Sequence, residues 1–103
     1  MTSAILHILL SLADEDRHGL GIAADVKGFT DGRVALGPGT LYGTIKRLLE
    51  DGLIEDLGQP SPDDDDPRRR YYRITAKGRR ALEVEAQGLA SVLGVAKRRL
   101  KTS

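Results

Sequence analysis

"LGPGTLYGTIKRLLEDGLI", running from Leu36 to Ile54, decides how this chain is read. Pro38 suits the first turn of a helix, where a missing N–H costs nothing. Gly37 and Gly39 let the backbone around it turn tightly or approach a neighbour closely. Leu41, Ile45, Leu48 and Leu49 then fall at i, i+4, i+7 and i+8, which is one apolar stripe. Gly43, Lys46, Arg47 and Glu50 lie opposite that stripe, with Thr40 and Thr44 along one edge and Tyr42 at the other. Gly52 is placed to close the helix just beyond its cap, with Leu53 and Ile54 packing behind. The stretch predicts a helix over 38–51 that buries one face and turns a polar face outward.

Working outward, 2–13 reads as a helix that is apolar almost all round, through Ala4, Ile5, Leu6, Ile8, Leu9, Leu10, Leu12 and Ala13. Such a helix is buried on more than one side, here against a core and, by expectation, a second subunit. "DEDRHG" ends it. Residues 19–28 read as a short second helix with Leu20, Ile22, Ala23 and Val26 as its apolar positions, and "GFTDGRV" as a loop. "LIEDLGQ" and "RYYRIT" are β-rich segments. Between them "QPSPDDDDPRR", with three prolines and four consecutive aspartates, makes a long polar hairpin tip. Thr75 is placed as an N-cap for a helix over 76–101. Along that helix Leu82, Ala86, Leu89, Leu93, Ala96 and Leu100 are spaced 4, 3, 4, 3, 4, the seam of helix–helix pairing.

The fold class is therefore mainly α with a small β-hairpin. The second and third helices form a helix-turn-helix, and the hairpin after it makes a winged helix. The expected organisation is a winged helix-turn-helix unit over 1–75 and a C-terminal dimerisation helix over 76–103, joined in one compact body. In a helix-turn-helix the second helix of the pair enters the major groove with its N-terminal residues at base edges. Double-stranded DNA is the partner this order implies. The charge is unevenly spread: residues 1–67 hold five basic and thirteen acidic side chains, a net of −8, and residues 68–103 hold eleven basic and two acidic, a net of +9. That asymmetry permits contact with nucleic acid.

At these same residues the chain resembles the PadR family, the phenolic acid decarboxylase regulators. "LGPGTLYGTIKRLLEDGLI" is similar to the family's signature: a small-residue turn, Thr-Leu-Tyr, an Arg-Leu pair, a carboxylate, Gly and Leu-Ile. "RRRYYRITAKGRRAL" resembles its second wing strand and the start of its C-terminal helix, and "HGLGI" its second-helix motif, although Leu20 and Gly21 replace the usual aromatic residue and glutamate. The resemblance covers about residues 4–85. It implies a bacterial, cytoplasmic, dimeric winged-helix transcription factor, in most members a repressor, and in many released from DNA by a small ligand. The length matches the small subclass with a single C-terminal helix.

Carried onto this sequence, the resemblance and the helix geometry nominate Gly39, Thr40, Tyr42, Gly43, Thr44, Lys46 and Arg47 for DNA, with Arg68, Arg69 and Arg70 in the wing. Ile5, Leu9, Leu82, Leu89, Leu93 and Leu100 are nominated for dimerisation. Each has a plainer alternative. Tyr42 can be a boundary aromatic beside Leu49, Lys46 and Arg47 solvated charges, and the wing arginines neutralisers of Asp63 to Asp66, which phosphates repel. His18 is expected to be exposed at a helix start, and His7 to sit at an interface or boundary. With no Trp and one Phe, a small or aliphatic effector is expected rather than a ring-stacked one.

Other classes find little support. There is no cysteine, so neither disulfides nor thiolate metal sites form, and no cofactor or metal is expected. The apolar run near the N-terminus is about ten residues, whereas a span needs about 20. An enzyme is not expected: the two histidines sit in separate elements, no serine has a nucleophile-elbow context, and "GPGT" lacks the Gly-Lys-Ser/Thr ending of a P-loop. A winged helix that binds protein instead of DNA is the alternative, because the fold hosts both. The acidic wing favours it.

Overall fold

The computed structural model describes residues 1–59 and 69–101. The order is α1 (Ser3–Leu12), β1 (Arg17–His18), α2 (Gly19–Phe29), α3 (Pro38–Glu50), β2 (Ile54–Gly58), β3 (Tyr71–Ile74) and α4 (Ala76–Arg99). The three strands form one antiparallel sheet in the order β1-β3-β2. The winged-helix reading holds, but the sheet has one strand more than the expected hairpin. Arg17 and His18 pair with Tyr72 and Tyr71. Two residues carry no alternation for a sequence to show, so β1 is invisible until β3 supplies its partner.

α1 is the hub. The Thr2 hydroxyl accepts from the Ile5 N–H at 3.2 Å to cap it. Ile8, Leu9, Leu12 and Ser11 are buried, and Ser11 donates its hydroxyl to the Ile8 carbonyl. α2, α3, β3 and α4 all pack on it. Its all-round apolarity is therefore used mostly inside one protomer. Leu9 is 0% exposed and belongs to the core, and Ile5 is half-buried against that core; Leu10 is 39% exposed. Two arginines answer the carbonyls left open at its C-terminus. Arg17 Nε donates to the Ser11 carbonyl at 2.8 Å, and Arg79 donates to the Ala13 carbonyl at 2.9 Å.

α3 ends in a Schellman turn. Gly52, at φ +72°, donates to the Leu49 carbonyl, and Leu53 to the Leu48 carbonyl. Only glycine adopts that φ without strain. This turn is clasped by the start of α4. Thr75 caps α4 by accepting from the Gly78 N–H at 3.0 Å, and its hydroxyl donates to the Gly52 carbonyl at 2.7 Å. The Thr75 N–H donates to the Leu53 carbonyl at 3.0 Å, and Lys77 Nζ to the Asp51 carbonyl at 2.9 Å. Gly78 is buried there, and a Cβ on it would run into the Leu53 carbonyl oxygen.

α4 packs its first turns on α1 and β3 and buries Leu82, then projects. At 24 residues it is about 36 Å long, at 1.5 Å per residue. The radius of gyration is 15.5 Å, against about 13 Å for a compact chain of this length. Of the seam, Leu89, Leu93 and Leu100 are exposed by 47, 54 and 72%, whereas Leu82, at 7%, lies in the protomer core.

Two predictions follow from this packing. Gly78→Ala gains about 1 kcal/mol of helix propensity but forces the α3–α4 joint apart, an overpacking cost of about 1–3 kcal/mol. Thermal denaturation is expected to show a lower Tm, and an unchanged or raised Tm would contradict the clasp. Arg73 grips Asp16 through two bonds, Nε to Oδ1 at 3.1 Å and Nη2 to Oδ2 at 2.8 Å, tying β3 to the turn after α1. The bond from Arg73, with its charge, outweighs desolvation and holds the Asp16 carboxyl below its ordinary value. A depressed carboxyl contributes stability above its unfolded value, which is lost as pH falls through the folded one. Asp16→Asn is therefore expected to lower Tm at pH 7, with the deficit closing below about pH 4; a deficit constant with pH would rule out the carboxylate as its source.

Candidate nucleic-acid interface

The core stripe of α3 is Leu41, Ile45 and Leu48, all buried. The opposite face is open: Gly37, Pro38, Gly39, Thr40, Gly43, Lys46, Arg47 and Glu50 are exposed, and Thr44 is half-buried. Thus the nominated residues of α3 other than Tyr42 share one outward face. Arg47 donates through Nε to Asp51 at 3.2 Å, one turn on. An exposed pair of this kind is worth under about 1 kcal/mol, so a phosphate or base can take the guanidinium over. The sequence reading did not mark Asp51 as its partner, although the i, i+4 spacing was there to see.

The start of α3 differs from the other three helices. α1 is capped by Thr2, α2 by His18 and α4 by Thr75, each through a side chain; α3 begins at Gly37 with no side-chain cap. Pro38 has no N–H, and the N–H groups of Gly39 and Thr40 stand at the positive end of the helix dipole without a side-chain cap. Gly37, Gly39 and Gly43 have nothing within 4 Å of where a Cβ would stand. The protomer itself gives no packing reason for them, while each glycine within the helix costs about 1 kcal/mol against alanine.

Tyr42 sits at the boundary of the core, as its plainer alternative has it. It is half-buried, and its ring lies against Gly19 at the start of α2, where an added Cβ would come within 2.7 Å of the hydroxyl oxygen. It sets the approach of α3 to α2, so Gly19 is a positioning residue for the pair. His18 is a half-buried cap rather than an exposed side chain. Its Nδ1 accepts from the Gly21 N–H at 2.9 Å, and its ring meets Tyr71 edge-on at 5.3 Å. With Gly21 at that turn, the chain keeps the space that the His18 ring occupies. His7 stacks on Phe29 at 5.9 Å, its Nδ1 2.6 Å from the Ser3 carbonyl oxygen.

In the wing, Arg70 is taken up within the sheet. Its Nε donates to Asp56 at 2.9 Å across the β2–β3 pair. Burial raises the Asp56 carboxyl, but the bond from Arg70, the Gly58 N–H and the Arg70 charge together bring it below its ordinary value. Arg69 is exposed. Arg68 and Asp63 to Asp66 lie outside the described residues. No group of three metal-ligating side chains occurs among the described residues, and no helix among them is long and apolar enough to cross a membrane.

Comparison with known proteins agrees with this geometry. The family model of PadR-like transcriptional regulators matches residues 5–84. A transcriptional regulator of Mycobacterium tuberculosis is 38% identical over 86 residues, covering 82% of this chain and 73% of that protein. An uncharacterized 37.1 kDa protein of a Streptomyces fradiae transposon is 36% identical over 87 residues, 84% of this chain but 23% of its own length. The chain thus spans about a quarter of that relative. Among solved structures, a PadR family transcription regulator from Clostridium difficile superposes with a TM-score of 0.78 at 25% identity, over 96% of this chain and 99% of that one. RosR of H. salinarum does so at 0.69 and 27% identity, over 88% and 76%. The signature in α3, the turn that closes it and the helix start that clasps it all fall within the matched residues, and the chain belongs to the PadR-like family of transcriptional regulators.

Proposed function

We propose that the chain is a dimeric, sequence-specific DNA-binding repressor, with α3 as the element that enters the major groove. The observation that carries this reading is the outward face of α3: an uncapped, dipole-positive start, open glycines, then Lys46 and Arg47. A helix N-terminus with free N–H groups favours a phosphate. Glycines with no packing role inside the protomer let that backbone approach a duplex closely. The family supports the reading, since its regulators bind DNA and typically dimerise. Thr40, Thr44, Lys46 and Arg47 follow the glycines as hydrogen-bond donors and charge; Tyr42 acts chiefly by holding α3 on Gly19. In the wing, the exposed Arg69 is put forward for a contact with the duplex, together with Arg68, which lies outside the described residues. Two copies of α3 read an inverted repeat with half-sites about 10 base pairs apart or a near multiple.

The exposed leucines of α4, with Leu10 on α1, supply the dimer contact; Leu9 and Leu82 support it from inside each protomer. For release by a small ligand, two of the hollows among the described residues share Phe29. One of about 300 Å³ is lined by His7, Phe29, Thr30, Asp31, Arg33 and Val34. The other, about 400 Å³, is lined by Leu10, Ala13, Asp14, Arg17, Asp25 and Phe29. Both sit at the small end of ligand-site volumes, about 300–1,000 Å³, which suits a small effector.

The reading is tested by fluorescence anisotropy with DNA from upstream of the chain's own gene. Salt-dependent, sequence-selective binding is expected; a well-folded dimer with no salt-dependent binding would transfer the case to the protein-interaction alternative. Gly43→Ala gives a sharper result. It is expected to stabilise the fold by up to about 1 kcal/mol and yet weaken specific binding, because a methyl group stands where the duplex approaches. A stabilised variant that binds as well as the parent would remove the glycine face from the interface. Lys46→Ala is expected to weaken binding to all sequences alike and flatten the log–log salt slope by about 1.

A further inference from the structure

The face that α3 turns outward carries as much negative charge as positive. Lys46 and Arg47 are matched by Glu50 and by Asp51, which stands just past the last turn. For an element read as entering the groove of a polyanion, such carboxylates need a reason. Stability does not supply one for Asp51. It is the C-cap of α3, at the negative end of the helix dipole, where a carboxylate is unfavourable. Its pair with Arg47 runs from a base to an acid four residues later, the weaker of the two orders on a helix. The two side chains are 70 and 48% exposed, so the pair adds little to the fold.

The geometry of the pair supplies the reason. Asp51 is anchored by its backbone: its N–H donates to the Arg47 carbonyl at 3.0 Å, and its carbonyl accepts from Lys77 Nζ at 2.9 Å. The carboxylate is therefore offered from a fixed point. It takes Arg47 by Nε, which donates to Oδ2 at 3.2 Å. A guanidinium is a planar fork of five N–H donors, with Nε–H on its side edge. A bond there leaves the end edge, formed by Nη1 and Nη2, for a second pair of acceptors. Guanine presents such a pair in the major groove, O6 and N7, which arginine meets with two bonds. A phosphate also fits the fork, but it brings a negative charge toward Asp51 and is repelled by it. Guanine is neutral and is not.

We infer that Asp51 is a positioning residue for Arg47: it holds the side edge of the guanidinium so that the end edge reads one guanine, and it withholds that cation from the phosphates of other sequences. This rests on the DNA-binding reading above and names within it the source of selectivity at one base pair. Asp51 touches no base in this arrangement and acts through Arg47.

The test compares the parent, Asp51→Ala, Arg47→Ala and the double variant by fluorescence anisotropy. The probes are a duplex selected by the parent from a random library, the same duplex with each G·C pair replaced in turn, and an unrelated duplex. Asp51→Ala is expected to melt close to the parent and to bind the unrelated duplex more tightly, with a log–log salt slope steeper by about 1. It is expected to lose roughly tenfold of the discrimination at one G·C pair. Arg47→Ala is expected to lose discrimination at that same pair. In the double variant, removing Asp51 is expected to change discrimination no further, since nothing is left to position. Three results overturn the inference. One is an Asp51→Ala effect equal for every duplex, which makes Asp51 a charge alone. Another is a loss at a pair that Arg47→Ala leaves intact, and the third is a further loss in the double variant. Where Asp51→Ala melts far below the parent, Asp51→Asn, which keeps the shape without the charge, replaces it with the same expected directions. The parent separates the two levels of claim. If it binds no duplex, the DNA-binding reading fails and the inference with it. If it binds selectively and the loss of Asp51 leaves discrimination intact at every pair, only the inference fails.

Discussion

The clasp between the end of α3 and the start of α4 is the constraint on which the rest of this molecule depends. Thr75 caps α4 with one lone pair and donates its proton to the Gly52 carbonyl. One side chain thus joins a helix start to a helix end. Lys77 on the Asp51 carbonyl and the missing side chain at Gly78 bring the two turns into contact. The carbonyls at a helix C-terminus need partners, and here those of α3 find theirs in the next helix. A rotation of α4 in its own frame must carry the C-terminal turn of α3 with it. The outward face of α3 and the helix that leaves the body are thereby fixed relative to one another.

Much of this was legible in the sequence, for a physical reason. α3 and α4 announce themselves because their apolar positions keep helical spacing and their ends carry residues with one main use: Pro38 at the start, Gly52 at +72° at the end, and Thr75 three residues before Gly78. The outward residues of α3 follow directly from that periodicity. What was not legible depends on partners distant in sequence. β1 is two residues long and exists because β3 lies beside it. Tyr42 meets Gly19, 23 positions away, and Arg70 meets Asp56, 14 away. An apolar helix such as α1 declares that it is buried on several sides but not by what. Ile8, Leu9 and Leu12 proved to be covered by the same protomer.

The same distinction applies to charge. The C-terminal third carries a large positive excess in sequence, yet many of its cations serve the fold. Arg73 holds Asp16, Arg70 holds Asp56, Arg79 caps α1 and Lys77 caps α3. Arg17 lies among Asp14, Glu15 and Asp25, at 3.7, 3.1 and 3.6 Å. A net-charge count overstates what such a segment offers a polyanion, because a guanidinium already engaged must exchange one partner for another. Lys46 on α3, by contrast, is exposed on the outward face, and the start of that helix carries no side-chain cap.

α4 has two unlike parts along its length. Its first turns are held by the clasp and by Leu82 in the core. Its last four turns contain Gly88 and Gly94 and, within the protomer, little apolar cover for Leu89, Val92, Leu93 and Leu100. Four turns, about 14 residues at 3.6 per turn, with two interior glycines are marginal as an isolated helix in water. Packing therefore has to supply what propensity does not. Any contact that covers Leu89, Val92, Leu93 and Leu100 is thereby coupled to the folding of the distal helix. Because the clasp ties α4 to α3, whatever covers the distal helix is also held in a fixed relation to the outward face of α3.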